Sequence, residues 1–392
     1  MVYSDDVTLG LTRRVLDLWQ NDTTDLAAGV MPQSIDAYLD RDRFEFETNR
    51  IFKHLPLALA LSSELPTPNT YRAMEIMGVP VLLTRGADGE ARAFLNVCKH
   101  RGAPLCEAGS GSARRLTCPY HAWVYDTAGD LVGMFGAQTF GDVDRDHLSL
   151  TPLACAERAG FVFACLTPGV AFDIDAFLGD FAPYISALDL DRWHIFEQRT
   201  LDGPGWKVAW DGYLEGYHQE RLHPQTVGLN TIGNLMAHDT WGPHQRIVFG
   251  RKSLPALAGK PEEEWDPQEH IRLIHSIFPN VSISGILGDH CLVSQLFPGP
   301  TPDTSLTIQS ILCRDEPSTD TERRAAEQFS ALVLRAVRDE DYWVGFQIQN
   351  ALKSGAMSEV LFGRNEPSLQ HYHRAVERYA ETGAGAGGNQ NR

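Results

Sequence analysis

Long hydrophobic runs are absent from this chain, since none of its apolar stretches approaches the roughly 20 residues needed to span a bilayer. The first residues also lack a basic stretch followed by an apolar one, so we expect no secretory signal and a cytoplasmic location. Positive charge is in short supply as well. The formal net charge is −17, which argues against nucleic acid and against anionic membranes as partners.

Cysteine is scarce too, with seven residues among 392. Their number is odd, their positions are scattered, and a chain of this length can build a full hydrophobic core without cross-links. A disulfide framework is therefore not expected. We predict reduced thiols, of which a few are reserved for chemistry.

The hydrophobic pattern divides the chain into a small all-β part and a larger mixed part. Short strand-like segments joined by tight-turn sequences predict the all-β part over residues 46–165. Helical periodicity and further strand-like segments follow over residues 166–382. We expect residues 1–45 to form a helical segment that packs on the larger part, and the Gly-rich residues 383–392 to be disordered. The predicted fold class is therefore α+β.

Two short motifs, each with one cysteine and one histidine, lie in the all-β part. Cys98-x-His100 and Cys118-x-x-His121 are separated by seventeen residues. Structural zinc also uses two cysteines and two histidines, but its usual spacing pairs like with like. Mixed pairs suit a [2Fe–2S] cluster in which one iron takes two thiolates and the other takes two imidazoles. We predict such a cluster, with zinc as the competing interpretation.

The sequence around these motifs resembles a known family. NVCKHRGAPLC and LTCPYHAW resemble the Rieske motif in the catalytic α subunit of bacterial Rieske non-haem iron oxygenases, and the flanking AFLNVC and CPYHAWVYDTAGDL extend the resemblance. It implies a Rieske [2Fe–2S] domain, followed by a catalytic domain whose antiparallel sheet is flanked by helices in a helix-grip arrangement. It also implies that Cys98, His100, Cys118 and His121 are the cluster ligands, and it leaves Cys106 outside this set.

An oxygenase of this kind also needs a mononuclear Fe²⁺, bound by two histidines and one carboxylate. The segment WKVAWDGYLEGYHQERLHPQT predicts a helix with a proline stop, on which His218 and His223 lie on roughly one side. Glu215, His218 and His223 match the family pattern of an acidic residue, two spacers, a histidine, four spacers and a histidine. The resemblance implies that the two histidines bind the iron. It also implies that Glu215, where the family usually has Asp, bridges an iron histidine and a Rieske histidine of the neighbouring subunit.

The third iron ligand is expected far downstream. RDEDYWVGFQIQNAL resembles the acidic helix of the family, in which an Asp precedes a Gln by eight positions, and Asp341 with Gln349 fits this spacing. Asp339 and Glu340 are neighbouring competitors for the role. Asp211 stands in a pair that differs from the Glu-Asn more common in the family, and we expect it to support the site.

The resemblance implies the terminal component of an oxygenase system. Such a component uses O2 and electrons from an NAD(P)H-dependent reductase, with or without a ferredoxin, to hydroxylate or oxidatively demethylate a small organic substrate. It also implies a homotrimer, since electrons would pass between neighbouring subunits. A ring cis-dihydroxylating dioxygenase is the alternative within the class. A Rieske-type electron carrier and a zinc-stabilised binding protein are the alternatives outside it, and both leave the second motif unexplained.

The substrate pocket is the least defined part of the predicted site. Aromatic and apolar side chains near the iron helix and on later elements are the candidates for its lining: Trp206, Trp210, Tyr213, Leu214, Tyr217, Phe297, Trp343 and Phe346.

Overall fold

The structure, a computed structural model, describes residues 5–382. These residues form two compact units. One comprises residues 52–177, and the other combines residues 5–51 with residues 178–382. None of the helices in the described range is both long and apolar enough to cross a membrane.

The domain boundaries predicted after residues 45 and 165 remain predictions, and the contacts divide the described chain six and twelve residues later, after residues 51 and 177. The predicted disordered tail at 383–392 lies outside the described residues.

The first segment of the larger unit is mainly helical. It comprises α1 (Asp5–Gln20), β1 (Met31–Ser34), α2 (Asp36–Leu39) and α3 (Arg41–Glu47), and a π-helical turn (Thr48–Phe52) ends it. Asp40 caps α3, because its side chain accepts a hydrogen bond from the backbone N–H of Arg43 at 2.6 Å.

The smaller unit consists mainly of short strands. They are β2 (Leu57–Leu61), β3 (Thr70–Ile76), β4 (Val79–Arg85), β5 (Ala91–Leu95), β6 (Gly109–Ser112), β7 (Arg115–Thr117), β8 (Val124–Asp126), β9 (Leu131–Gly133), β10 (Pro152–Leu153), β11 (Cys155–Arg158) and β12 (Phe161–Ala164), followed by helix α4 (Ile174–Leu178). The strands form three antiparallel sheets, with the orders β10-β5-β4-β3-β6, β11-β12-β2 and β7-β8-β9. One buried cluster packs Leu82, Trp123 and Tyr125 around Cys98 and Cys118, so the predicted ligands belong to the core of the unit.

The larger unit is built on one seven-stranded antiparallel sheet with the order β13-β19-β18-β17-β16-β15-β14. Its remaining elements are α5 (Ala182–Ser186), β13 (His194–Gly203), α6 (Trp206–Tyr213), α7 (Gln219–Leu222), β14 (Thr231–Trp241), β15 (His244–Arg251), α8 (Pro267–His270), β16 (Ile271–Ile277), β17 (Val281–Ser284), β18 (His290–Pro298), β19 (Ser305–Cys313), α9 (Asp320–Leu334), α10 (Tyr342–Leu352), β20 (Glu359–Phe362) and α11 (Pro367–Thr382). Helices α1, α6, α9 and α10 all contact strands of this sheet. The predicted α+β class, with an antiparallel sheet flanked by helices, is confirmed.

The stretch with the two predicted iron histidines is not one helix. The sequence predicts a helix that ends or distorts near His223, whereas α6 ends at Tyr213 and α7 begins only at Gln219. Gly216 lies in the intervening turn against Phe249 of β15, where a Cβ would lie 2.5 Å from the ring. The glycine therefore allows a close approach of the turn to the sheet, and this packing overrides the helical periodicity of the sequence.

A buried ion pair ties α6 to the first segment. Lys207 of α6 lies against Glu47 of α3, and the two side chains are only 2% and 3% exposed. Lys207 Nζ also donates to the carbonyl oxygen of Ala37 at 2.6 Å, and Arg43 Nε donates to Glu47 Oε1 at 2.8 Å. Burial lowers the pKa of Lys207 to about 8, so the ammonium depends on Glu47 as its counter-charge.

Replacing Glu47 by Ala is expected to lower the free energy of unfolding by about 3–5 kcal/mol, because it leaves a buried ammonium without its partner. Thermal unfolding followed by far-UV circular dichroism measures the change. Glu45→Ala is the matched control, since it removes an exposed partner of Arg41 from the same helix, and it should cost less than about 1 kcal/mol. Equal shifts in the two variants would contradict this role of the buried pair.

Candidate metal centres

The two Cys/His motifs lie on two loops of the smaller unit that share one local geometry. Cys98 and His100 follow β5, and Cys118 and His121 lie between β7 and β8. In both loops the cysteine N–H donates to the carbonyl five residues later, at 2.9 and 2.8 Å. In both, the cysteine carbonyl accepts from the N–H four residues later, at 2.9 and 3.1 Å. Each loop therefore turns back on itself in the same way, and the histidine comes two residues after the cysteine in the first loop and three residues after it in the second.

The two loops bring all four side chains together. The ring centroids of His100 and His121 are 4.6 Å apart, and the buried thiols of Cys98 and Cys118 are close enough to interact. The Nδ1 atoms of both histidines are buried without a hydrogen-bond partner among the described residues. Two buried thiols and two unpaired imidazole nitrogens are the donors that a [2Fe–2S] cluster of mixed ligation requires. The residues therefore fit this cluster.

Tyr125 supports the cysteine side of this site. Its hydroxyl lies 3.6 Å from Cys98 Sγ and accepts a hydrogen bond from the backbone N–H of Lys99 at 3.0 Å. Burial raises the pKa of the Cys98 thiol in the metal-free chain. Cys106 lies apart from the four converging side chains and against Tyr71, and burial raises its pKa to about 11. Its thiol is thus an unreactive neighbour of the site.

Aromatic and basic side chains surround the histidine side. His100 stacks on Trp123 with ring centroids 4.9 Å apart, which fixes the orientation of the imidazole. Arg101 Nη2 lies 2.7 Å from His121 Nε2. Desolvation and the charges of Arg101 and His100 lower the pKa of His121, which favours the neutral imidazole that a metal ligand must present.

Three side chains of the larger unit converge on one point. His218 Nε2 and His223 Nε2 are 3.2 Å apart, and Asp341 Oδ1 lies 2.9 Å from the second and 3.5 Å from the first. Among the described residues, this is the group of three His, Cys, Asp or Glu side chains whose ligand atoms all lie within 4.8 Å of one another. Two imidazoles and one carboxylate are the donor set of non-haem Fe²⁺.

A carboxylate orients each of these imidazoles from the opposite ring nitrogen. His218 Nδ1 contacts Glu215 Oε1, and His223 Nδ1 lies 2.6 Å from Glu340 Oε2. Because an ionised carboxylate only accepts hydrogen bonds, each Nδ1 carries a proton, and Nε2 is the ring nitrogen that each histidine can offer to a metal. Asp341 Oδ1, which faces them, is buried and has no hydrogen-bond partner among the described residues. Lone pairs that face one point fit a bound cation, and the residues therefore fit the iron.

Irregular backbone places each of the three side chains. His218 is the N-cap residue of the four-residue α7, and His223 is its C-cap residue. Gly228 then packs on α7, where a Cβ would lie 2.0 Å from the Gln219 carbonyl oxygen. Asp341 ends a π-helical turn (Arg335–Asp341) between α9 and α10, the kind of distortion that often marks a functional site.

The three acidic residues of this turn have different surroundings. Asp339 is exposed and pairs with Arg338 at 2.6 Å, whereas Glu340 lies behind His223. Thr226 Oγ1 also donates to Glu340 Oε2 at 2.5 Å and holds that carboxylate in place. Sequence reasoning missed the supporting position of Glu340 and Thr226. The acidic run was the only signal for the first, and there was none for the second.

Glu215 holds the turn that leads into α7 and contacts His218. Its Oε2 accepts hydrogen bonds from the backbone N–H groups of Tyr217 and His218, the latter at 3.2 Å. Burial alone would lower the pKa of His218, but the hydrogen bond and charge of Glu215, together with the charge of Asp341, raise it. The carboxylate is therefore the main electrostatic partner of this imidazole.

Asp211 is not one of the three side chains that converge on the proposed iron site. Tyr38 donates its hydroxyl to Asp211 Oδ2 at 2.7 Å, and His373 Nε2 lies 2.8 Å from Oδ1. Asp211 lines a cavity of about 280 Å³ together with Glu215, His218, Asp341 and Glu366. This cavity, which we call the acidic cavity, carries four carboxylates.

The eight side chains predicted to line the substrate pocket do not line the acidic cavity. Trp206, Trp210, Leu214 and Phe297 are core residues, Tyr217, Trp343 and Phe346 are exposed, and Tyr213 is half-buried with its hydroxyl 3.3 Å from Ser294 Oγ. The assignment of these residues to a substrate pocket remains a prediction.

Comparison with known families divides the chain as its two motifs do. Residues 56–140 match the family model of the Rieske [2Fe-2S] domain, and residues 190–382 match that of the ring hydroxylating alpha subunit (catalytic domain). A simple electron carrier and a zinc-stabilised binding protein both leave the second match unexplained.

Two individual relatives are likewise subunits of oxygenases. The chain is 32% identical to the carnitine monooxygenase oxygenase subunit of Escherichia coli (strain K12) over 327 residues, which cover 81% of this chain and 83% of the relative. It is 35% identical to the chlorobenzene dioxygenase subunit alpha of Cupriavidus sp. (strain PS12) over 242 residues, which cover 57% of this chain and 53% of that protein.

The structure of a quaternary ammonium Rieske monooxygenase in complex with L-carnitine aligns with a TM-score of 0.75 at 25% identity, over 91% of this chain and 96% of that one. With both catalytic and electron-transfer domains matched, this chain belongs to the Rieske oxygenases, as the terminal oxygenase component with a Rieske [2Fe–2S] cluster and a non-haem iron.

Proposed function

We propose that this chain is a monooxygenase that hydroxylates or oxidatively demethylates a small organic substrate. One oxygen atom of O2 is inserted into a C–H bond, and two electrons and two protons reduce the other atom to water. The observation that carries the proposal is the convergence of His218 Nε2, His223 Nε2 and Asp341 Oδ1 on one point. The carnitine monooxygenase relative and the unusual Glu215 favour monooxygenation.

In this proposal Cys98, His100, Cys118 and His121 hold the cluster, and the convergent triad holds the iron. When bound, the cluster passes single electrons and the iron supplies the site at which O2 reacts with the substrate. Stacking of His100 on Trp123 and the carboxylates behind His218 and His223 fix the orientation of these imidazoles.

Carboxylates behind the iron histidines have the positioning roles. Glu215 accepts a hydrogen bond from the proton-bearing Nδ1 of His218, and Glu340 does the same for His223. Partners of this kind set the ring orientation and raise the basicity of the ligand. Glu215 is also proposed to carry the path to the Rieske histidine of a neighbouring subunit, because it is half-buried and lines the acidic cavity.

Rieske oxygenases act on a small molecule and O2 with a reductase partner. We propose that the reductase draws on NAD(P)H, directly or through a ferredoxin, and that the oxygenase is a homotrimer. The homotrimer is motivated by a solved quaternary ammonium Rieske monooxygenase of the same fold, whose structure was described in terms of inter-subunit electron transfer in that protein. All seven cysteines are free thiols in the structure, which supports a reducing, cytoplasmic location.

Ring dioxygenation is the second candidate, because the chlorobenzene dioxygenase relative matches over half the chain. Turnover with the native reductase under oxygen-18 gas, screened over small acids, amines and aromatic compounds, separates the two reactions. We expect one labelled atom in an alcohol or in the aldehyde released by demethylation. A cis-diol with both atoms labelled as the sole product would favour the dioxygenase, and no O2 uptake coupled to any product would contradict both.

Asp341→Ala is expected to remove the mononuclear iron while leaving the cluster. Iron affinity should fall by more than the about 10–100-fold that loss of an outer partner costs, since a direct ligand is lost. The nitric oxide adduct of the iron, followed by electron paramagnetic resonance, reports the iron, and the visible spectrum reports the cluster. Asp339→Asn, which changes the exposed neighbour, is the matched control. Full retention of the nitrosyl signal in Asp341→Ala would rule out this ligand.

Glu215→Gln should retain the cluster spectrum and the iron but lose turnover. The amide keeps the size of the side chain, whereas the loss of charge weakens its hold on His218 and the proposed path to the cluster. We expect the rate at which the reduced cluster is reoxidised by O2 and substrate to fall by about 100-fold or more. Glu220→Gln, at an exposed acidic position of α7, is the control. Wild-type rates in Glu215→Gln would end the bridging role.

A further inference from the structure

A second cavity lies beside the iron site and differs in charge from the acidic cavity. Its volume is about 450 Å³, within the range of small-molecule sites. Its charged lining residues are two arginines from the sheet and two carboxylates, and uncharged residues of the loop after α7 and of α9 complete the part used below: Arg251, Arg272, Glu269, Asp289, Thr226, Val227 and Phe329. We call it the arginine cavity.

The two arginines project from the same face of neighbouring strands. Arg272 of β16 lies opposite Phe249 of β15 in the strand register, and Arg251 follows two residues later on β15. Side chains two residues apart on a strand point to the same face. The sheet thus presents two guanidinium groups side by side to the arginine cavity.

The arginine cavity shares its wall with the iron site. Arg272 Nη2 donates to Gln219 Oε1 at 3.0 Å, and Gln219 directly follows His218. Thr226 lines the cavity and also donates to Glu340, which orients His223. Arg272 is also close enough to Asp341 for their charges to interact, so a molecule held by Arg272 would lie near the iron site, although none of the three iron ligands lines the cavity.

Neither arginine forms an ion pair with a carboxylate of the described residues. Arg272 Nε is buried with no hydrogen-bond partner, and Arg251 Nε donates only to a backbone carbonyl, that of Ile271, at 3.3 Å. Burial, followed by the charge of Arg251, lowers the pKa of Arg272 to about 10, and burial lowers that of Arg251. Both remain charged at neutral pH. The charge of Asp341 offsets that of Arg272 only in part, and desolvated guanidinium groups without a directly paired anion are unfavourable until an anion joins them.

We propose that the arginine cavity is the substrate site and that Arg272, with Arg251, binds a carboxylate of the substrate. The assignment rests on the proposed oxygenase function and deepens it by naming the substrate class. The acidic cavity is unsuited to an anion, because four carboxylates line it. The arginine cavity also lacks the aromatic lining that favours a substrate carrying only a quaternary ammonium group, although two carboxylates, Glu269 and Asp289, lie in its wall. Phe329 is the one Phe, Tyr or Trp among the described residues that line it, so no aromatic cage is present.

Paired probes test the charge preference by calorimetry on the anaerobic, metal-loaded enzyme. Benzoate and hexanoate are each compared with their neutral amides, and choline serves as the cation. We expect at least one acid to bind about 10- to 100-fold more tightly than its amide, the range of a hydrogen bond to a charged group. Amides that bind as well as the acids, no binding of either acid, or tighter binding of choline would overturn the proposal.

Arg272→Gln should abolish the preference for the acid, and Arg251→Gln should reduce it. The second variant keeps the test valid if the first fails to fold, since Arg251 does not touch the iron loop through Gln219. Arg378→Gln removes an exposed arginine from the same unit and is the control. An unchanged preference in both cavity variants would contradict the assignment.

A change in the nitric oxide signal of the iron on addition of the acid places the site beside the metal. This measurement also separates the two hypotheses. Without a mononuclear iron signal in the wild-type enzyme the proposed function fails, while the acid preference can still be measured by calorimetry. With the iron signal present and no acid preference, only the carboxylate assignment fails.

Discussion

The geometry of the proposed iron site depends on one electrostatic constraint. Glu215 and Glu340 fix the protons of His218 and His223 on Nδ1, so that both Nε2 lone pairs meet beside the buried Asp341 Oδ1. Three acceptors within 3.5 Å of one another repel unless a cation lies among them. The site is therefore preorganised for a metal, and the carboxylates behind the rings determine which nitrogen is offered.

The fold maintains this unfavourable arrangement by anchoring each part of it to something rigid. Gly216 brings the turn before His218 onto the seven-stranded sheet, and the π-helical turn aims Asp341 from a helix packed on the same sheet. The buried pair of Lys207 and Glu47 anchors α6, the helix that precedes the turn before His218. In the smaller unit, two loops with matched backbone hydrogen bonds play the corresponding part for the cluster.

Much of the fold and of both metal sites could be predicted from the sequence, because the spacing of the ligands and of the apolar residues can be read directly from it. The Cys/His spacing predicted the electron-transfer unit, and strand-like segments such as those of β18 and β19 predicted the sheet. The break between α6 and α7 could not be predicted, because it follows from contact between Gly216 and a distant strand. The supporting Thr226 and the paired arginines were invisible because residues far apart in the chain create their surroundings.

The most direct measurement is the iron and acid-labile sulfide content of the purified wild-type chain. We expect about three iron atoms and about two sulfides per chain, with two irons in the cluster and one at the His218–His223–Asp341 triad. About two irons with two sulfides would mean that the triad binds no iron. Zinc without sulfide would contradict both metal centres.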